Sequence, residues 1–218
     1  MGHRNTRVIG GIVGLAIAGV LCALGLVMTS NANFAKSYTA EQLGRQNITF
    51  KTLDTLTEEE RGSSCLVRYA GQKLITGKQA ECYANDFIGE HVKDVAGGKT
   101  YAELGGPERA LRAKVAAAQT ANDPALADLQ KQHGAMKGQR DTLFQGETSR
   151  GLLLTSFGFD VLGAKAEQAA TVAYLVAGLL ALLSLVSLVR GRRSPKARTV
   201  TDPGSAKAIR GEKQLVDA

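Results

Sequence analysis

Two cysteines, Cys65 and Cys82, are the residues of this sequence whose type and spacing best suit chemistry. Such a pair binds a metal, exchanges electrons or forms a structural disulfide, and the compartment of the protein decides which. A metal site needs further cysteine or histidine ligands, and the sequence offers none between Ser63 and Glu90. A redox couple usually has the closer spacing C-x-x-C. A disulfide is therefore favoured if the pair lies in an oxidising compartment.

The other candidates for catalysis or metal binding are weaker. His91 and His133 both fall on apolar helical stripes, where a single histidine is usually a hydrogen-bonded core residue. A metal site that joins both histidines to Glu90 is the less favoured alternative. The acidic residues that suggest a solvated face are Asp54, Glu58, Glu59 and Glu60. Because no G-x-S-x-G, P-loop or H-E-x-x-H motif occurs, we expect no catalytic residue, no metal and no cofactor.

Two long uncharged runs bear on the compartment. Residues 8–29 and residues 169–189 form runs of 22 and 21 residues without a charged side chain. At about 1.5 Å per residue, either run crosses a hydrocarbon core about 30 Å thick as a helix. The sequence therefore predicts two transmembrane helices that enclose residues 30–168.

The formal charge of +7 lies entirely beside these runs. Residues 1–7 carry Arg4 and Arg7, residues 30–168 carry equal numbers of acidic and basic side chains, and residues 190–218 carry 8 basic and 3 acidic ones. Basic residues mark the cytoplasmic side of a span, so we expect a cell-membrane protein with both termini cytoplasmic. The tail then faces anionic lipid head groups. Nucleic-acid binding is not expected, because no binding motif accompanies the charge.

A cleaved signal peptide is the alternative for the first run, with Ser30-Asn31-Ala32 at the cleavage site. The length of the run argues against it, because the apolar part of a signal peptide has about 7–15 residues. We therefore interpret residues 8–29 as a retained span.

Between the spans, the two cysteines fall on different predicted elements. Residues 66–76 are typical of a short β-hairpin. Thr76 and Gln79 form a capping box that starts a helix. At 100° per residue, Cys82 lies almost opposite the apolar stripe of this helix. In the oxidising compartment outside the membrane, a Cys65–Cys82 disulfide then ties the hairpin to the helix.

An antiparallel αα-hairpin is predicted over residues 107–144. Pro107 and the break at Asn122-Asp123-Pro124 mark the starts of its two helices. Residues 151–163 are strongly apolar but too short to cross a bilayer. Two placements stay open for this segment, which either packs on the outer domain or rests in the lipid head-group layer.

Small residues recur every four positions along both predicted spans, and this interval lets helices approach closely in lipid. The predicted helix-packing residues are Gly10, Gly14, Ala18 and Cys22 on the first span and Ala169, Ala173, Ala177 and Ala181 on the second. Antiparallel spans place Cys22 level with residue 175, so we expect Cys22 to be a packing residue against the second span. The same stripes alternatively build an oligomer.

The chain resembles a family of small actinobacterial two-span membrane proteins of unknown function, and the likeness covers both predicted spans and most of the region between them. The likeness rests on Gly97-Gly-Lys-Thr-Tyr-Ala-Glu-Leu104, preceded by Gln79-Ala80 and Phe87-Ile-Gly-Glu-His91. Members are often named aromatic ring-opening dioxygenase LigA. Ring opening by non-haem iron requires two histidines and a carboxylate with open coordination positions, a set that this chain hardly assembles. The resemblance implies two spans around an extracytoplasmic segment.

These observations predict a mainly α membrane protein with two transmembrane helices and an extracytoplasmic helical domain that contains a short β-hairpin. We expect a non-enzymatic protein whose disulfide-linked outer domain serves interaction or envelope structure. A sensor or accessory subunit of a membrane complex is the alternative, and a metal-dependent ring-cleaving enzyme is third. The expected partners are the lipid bilayer and either another membrane protein or a second copy of the chain.

Overall fold

The computed structural model describes residues 3–193, and the rest of the predicted basic tail, residues 194–218, lies outside the described residues. The described part of the chain is mainly helical and divides into two compact units, one formed by residues 3–21 and 175–193 and the other by residues 22–174. The helices are α1 (His3–Arg45), α2 (Glu58–Gly62), α3 (Ser64–Tyr69), α4 (Gly77–Cys82), α5 (Gly89–Val95), α6 (Tyr101–Ala121) and α7 (Leu126–Arg193), with a π-helical segment at Tyr83–Ile88 between α4 and α5.

Helices α1 and α7 each contain a run that is long and apolar enough to cross a membrane. Only 17% of the most apolar stretch of α1 and 11% of that of α7 is buried. A core helix of a soluble protein buries most of its apolar surface, so these two runs differ from such a helix. The expectation of two helices with the length and composition of spans is confirmed.

In the first unit, α1 packs closely against α7. A side chain at Gly11 would collide with Leu188, and one at Gly14 would collide with the hydroxyl of Ser184. Ser187 donates a hydrogen bond to the backbone carbonyl of Arg7. Glycine therefore permits the short distance between the helix backbones, as in membrane helix pairs with small residues at the contact.

In the second unit, α1 and α7 run antiparallel. Gly25 lies against the ring of Tyr174, and Gly163 lies against Ala32. The hydroxyl groups of Thr29 and Tyr174 are 3.1 Å apart. Further along the α1–α7 pair, the side chains of Lys36 and Glu167 form an ion pair.

The core of the second unit lies where short elements pack on the α1–α7 pair. It is formed by the buried residues Leu43, Phe50, Leu66, Leu74, Ala80, Cys82, Ala84 and Leu153. Aromatic rings add to it, since Phe50 meets Tyr83 edge-on with centroids 5.3 Å apart. Leu153 belongs to residues 151–163, so this apolar segment contributes to the core of the second unit as part of α7.

The predicted β-hairpin does not form among the described residues. Residues 66–69 lie instead in α3, because Ser63 caps that helix by accepting a hydrogen bond from the backbone N–H of Leu66. Residues 71–74 run antiparallel to residues 48–51, with a single bridge between Thr49 and Lys73. The pairing of residues 48–51 with residues 71–74 thus takes the place of the local hairpin. It holds Phe50 in the core.

Helices α6 and α7 form the αα-hairpin, with different ends from those predicted. Thr100 and Glu103 form a capping box, so α6 starts before Pro107, which lies inside the helix. Asn122 ends α6 in a left-handed conformation with φ 51°. Helix α7 then continues without interruption from Leu126 through the predicted second span.

Candidate functional site

The disulfide between Cys65 and Cys82 joins α3 to the end of α4. Their Cα atoms are 6.0 Å apart, within the usual range for a disulfide. The bond that the sequence predicts is present, but it links two helices rather than a hairpin and a helix. It closes a loop with a sequence separation of 17 residues between the cysteines, and that loop contains Leu66 and Leu74 of the core.

Asp86 brings a carboxylate to the two sulfur atoms, and a carboxylate oxygen and the two sulfur atoms all lie within 4.8 Å of one another. A metal would require both cysteines as thiolates, whereas here both sulfur atoms are committed to the disulfide. Ser63 donates a hydrogen bond of 2.7 Å to Asp86. The oxidised cluster therefore fixes Asp86 in place and does not form a metal site.

An acidic cavity of about 410 Å³ lies next to this cluster. It is lined by Thr57, Glu59, Glu60, Ser63, Asp86, Glu90, His91 and Asp94. The capping box of α2 supplies one side, and the π-helical segment with α5 supplies the other. Five carboxylates and one imidazole around one cavity favour a positively charged group over an anion.

Glu60 is the buried member of this acidic cavity, with 7% of its surface exposed. One carboxylate oxygen bonds Lys51 at 2.6 Å, and the other accepts the backbone N–H of Thr57 at 2.8 Å. Burial alone would raise the pKa of Glu60, but these two hydrogen bonds and the charges of Lys51 and His91 together lower it. Glu60 therefore carries a negative charge at neutral pH.

His91 forms the rim of the acidic cavity. Its Nδ1 lies 2.7 Å from the backbone carbonyl of Phe87, and its Nε2 lies 3.9 Å from the carboxylate of Glu60. The ring also packs on Phe87 with centroids 4.5 Å apart. His91 is exposed, unlike the core histidine that the sequence suggests. Although His91 falls on the predicted apolar stripe, the cavity that opens beside α5 leaves its side chain exposed.

His133 lies in a second ionic cluster between α6 and α7. Its Nε2 lies 2.8 Å from Glu108, whose other oxygen accepts a hydrogen bond of 3.1 Å from Arg140. The hydrogen bond with His133 lowers the pKa of Glu108 against the effect of burial, and the charges of Arg112, His133 and Arg140 lower it further. His133 is thus hydrogen-bonded in a partly buried site, as expected for a histidine on an apolar stripe.

The predicted helix-packing residues fall at several levels of burial. Ala18 and Ala177 are buried, Gly14, Ala173 and Ala181 are half-buried, and Gly10, Cys22 and Ala169 are exposed. The buried small residues instead recur every seven positions, as Gly11, Ala18, Gly25, Ala32 and Thr39 on α1 and as Gly163, Ala170, Ala177, Ser184 and Gly191 on α7. Seven residues are two helical turns in a left-handed pair, so this period keeps one face in contact.

Sequence reasoning missed the acidic cavity. Glu58, Glu59 and Asp54 are exposed, as a solvated acidic face requires, but Glu60 is buried. The capping box of Thr57 with Glu60 was the available signal, because a capping glutamate folds back on its own helix start. Asp86 follows Cys82 by one helical turn, a spacing that places its carboxylate beside the sulfur.

Comparisons of the chain with protein-family models, with curated proteins and with solved structures find no match. The resemblance carried by residues 97–104 therefore stays a prediction.

Proposed function

We propose that this chain is a non-enzymatic, two-span membrane protein whose disulfide-linked outer domain binds another component of the cell envelope. The observation that carries this proposal is the pair of long apolar helices, which are mostly exposed along their most apolar stretches. An exposed apolar helix of this length is unfavourable in water and favourable in a bilayer. The disulfide supports the outer location of residues 30–168, because such bonds persist in oxidising compartments.

The basic residues support a topology with both termini in the cytoplasm. In a variant with Cys22→Ser, an impermeant thiol reagent applied to intact cells should label Gln119→Cys, since Gln119 is exposed on α6. The matched variant Ser205→Cys should react only after the membrane is permeabilised. Labelling of position 205 on intact cells, or protection of position 119, contradicts the topology.

The acidic cavity supports the interaction role, and a cationic group is the partner chemistry that its carboxylates favour. Co-purification after mild detergent extraction tests this role. A partner recovered with the native chain should be lost when Glu59, Glu90 and Asp94 are changed together to the corresponding amides. The control changes Asp128 and Asp141, which are exposed acidic residues of α7, and should retain the partner.

A sensor or accessory subunit is the second candidate function. The observation that favours it is His91 on the rim of the acidic cavity, 3.9 Å from buried Glu60, because a ligand bound there contacts a titratable group. Repeated recovery of one signalling subunit with the native chain supports this candidate. Recovery of structural envelope components alone favours the interaction role.

A further inference from the structure

We infer that the α1–α7 pair binds an anionic phospholipid at the end where α1 begins and α7 ends, with the phosphate group against Arg7 and Arg190. A basic cavity of about 480 Å³ lies at this end, lined by Arg7, Leu183, Val186, Ser187 and Arg190. All five residues belong to the first unit. The inference rests on the proposed function, since it requires that the two apolar runs cross a membrane.

The two arginines of the basic cavity lie at the same edge of the predicted hydrocarbon core. Arg7 directly precedes the uncharged run of residues 8–29, and Arg190 directly follows the run of residues 169–189. A hydrogen bond of 3.1 Å from Ser187 to the backbone carbonyl of Arg7 joins the two helices at this level. Because lipid head groups lie directly outside the hydrocarbon core, both guanidinium groups are placed at the height of the phosphates.

The rest of the cavity wall extends into the hydrocarbon core along one face of α7. Leu183 precedes Ser187 by four residues, and Ser187 precedes Arg190 by three, a spacing that places these side chains on the same face. At 1.5 Å per residue, Leu183 lies about 10 Å deeper than Arg190. The cavity therefore has charged donors at the membrane edge and apolar side chains beneath them. A phospholipid has the same order of groups, with a charged phosphate above its acyl chains.

The charge of the first unit favours a ligand with a net negative charge. No aspartate or glutamate occurs in residues 3–21 or 175–193, the described parts of this unit. Each guanidinium group has five N–H donors, so it can bind a phosphate oxygen beside its other hydrogen bonds. Hydrogen bonds from arginine to phosphate are charge-assisted and stronger than those between neutral groups. The proposed topology places the basic cavity in the cytoplasmic leaflet, which is the leaflet that carries anionic lipids.

A lipid fits the basic cavity better than a soluble phosphate does. Leu183 is 59% exposed and lies within the predicted hydrocarbon core, where acyl chains cover it. A soluble phosphate ion has no apolar group to place against Leu183 and Val186. The cavity volume of about 480 Å³ lies within the usual range of small-molecule sites, about 300–1,000 Å³. The site thus has room for a phosphate and for the part of the acyl chains next to it.

Tryptophan fluorescence in vesicles tests the lipid site, because the chain has no tryptophan of its own. The vesicles contain phosphatidylcholine and a small fraction of phosphatidylglycerol, and bromine atoms on the acyl chains of either lipid quench an indole that they contact. With Leu183→Trp at the basic cavity, quenching should show phosphatidylglycerol enriched about tenfold over its share of the bilayer. The matched variant Leu182→Trp changes a residue that is 64% exposed and does not line the cavity, and it should show no enrichment. Equal quenching by phosphatidylglycerol at the two positions overturns the inference.

Removal of either arginine from the basic cavity provides a second test. In the Leu183→Trp chain, Arg7→Gln and Arg190→Gln should each lower the enrichment of phosphatidylglycerol about fivefold, because each removes one positive charge at phosphate height. Arg192→Gln is the matched control, since it removes the same charge from an exposed residue of the last turn of α7 that does not line the cavity. Enrichment that survives both cavity variants, or that Arg192→Gln lowers to the same extent, overturns the inference.

A soluble competitor distinguishes a lipid phosphate from a free one. Inorganic phosphate in large excess over lipid should leave the enrichment in the Leu183→Trp chain as it is in sodium chloride of equal ionic strength. Loss of the enrichment in phosphate but not in chloride would assign the basic cavity to a soluble anion and would overturn the lipid site.

The same fluorescence measurements separate the lipid site from the proposed membrane placement. In vesicles of brominated phosphatidylcholine alone, the indoles of Leu182→Trp and Leu183→Trp should both be quenched if residues 169–189 lie in the bilayer. Quenching at both positions without enrichment of phosphatidylglycerol removes the lipid site and leaves the membrane placement standing. Absence of quenching at both positions contradicts the membrane placement itself.

Discussion

The disulfide-linked region at residues 57–95 and the αα-hairpin at residues 101–144 each contain a buried glutamate, but the two regions are held together differently. The region around Glu60 contains the Cys65–Cys82 disulfide, the packed rings of Phe50 and Tyr83, and a core of eight buried residues. Around Glu108, the corresponding apolar cluster has three buried residues, Val92, Leu104 and Leu143. The α6–α7 contact therefore depends more on polar bonds than the disulfide-linked region does.

The difference follows from the lengths of the elements. Helices of five to seven residues, such as α2, α3 and α5, are not stable alone and need tertiary contacts or a covalent link. Helix α6 has 21 residues and a complete capping box, so it needs fewer contacts to remain helical. The ionic cluster of Glu108, His133 and Arg140 then fixes the register of α6 on α7 rather than the helices themselves.

Removing the disulfide should have the largest effect. Changing Cys65 and Cys82 together to Ala should lower the free energy of unfolding by about 3 kcal/mol, because the unfolded chain regains the entropy of the closed loop. Urea unfolding in detergent, followed by the near-ultraviolet circular dichroism of the core tyrosines Tyr69 and Tyr83, measures this change.

Cys22→Ala is the control for the disulfide, because Cys22 is an exposed free thiol. It should leave the unfolding midpoint unchanged. Equal midpoints for the native chain and the Cys65/Cys82 double variant would show that tertiary packing alone holds the short helices.

Removing the charge of Glu60 should have a smaller effect. Glu60→Gln keeps the shape of the side chain but leaves the ammonium group of Lys51 without its ionic partner, which should cost about 1–2 kcal/mol in the free energy of unfolding. The same urea titration measures the loss. Glu59→Gln changes an exposed neighbour in the acidic cavity and should have no effect on stability.

The hairpin should respond least to the loss of its glutamate, and the response should be local. Glu108→Gln removes the charge that faces His133 and Arg140, so hydrogen exchange of backbone amides in α6 should accelerate while the core around Phe50 keeps its protection. Asp141→Asn, which changes an exposed residue of α7, is the control. Acceleration throughout the second unit would mean that the two regions unfold together.

The stability of the α6–α7 contact depends on pH. The pKa of Glu108 is lowered in the folded protein, so its stabilising charge is fully present above the unfolded value of 4.5 and is lost as pH falls through the lower folded value. Protection of α6 should therefore decrease below about pH 4.5 in the native chain. The Glu108→Gln variant should lack this component of the acid sensitivity.

The sequence alone determined the features that depend on near neighbours or on uninterrupted composition. The two apolar runs follow from their length, and the start of α4 follows from the capping box at Thr76. The disulfide was predictable because only two cysteines occur outside the apolar runs. Each of these inferences uses local patterns or a count, which no tertiary contact alters.

Tertiary structure decided the features for which the sequence offers equivalent choices. The spans contain so many small residues that periods of four and seven both occur, and only the antiparallel contact of α1 with α7 selects the period of seven. Residues 66–69 have the composition of a strand, yet the cap at Ser63 and the pairing of residues 48–51 with 71–74 make them a helix. Glu60 and Asp86 meet in the acidic cavity because the disulfide-linked helices bring together residues that are distant in the chain, and local sequence carries no signal for such a contact.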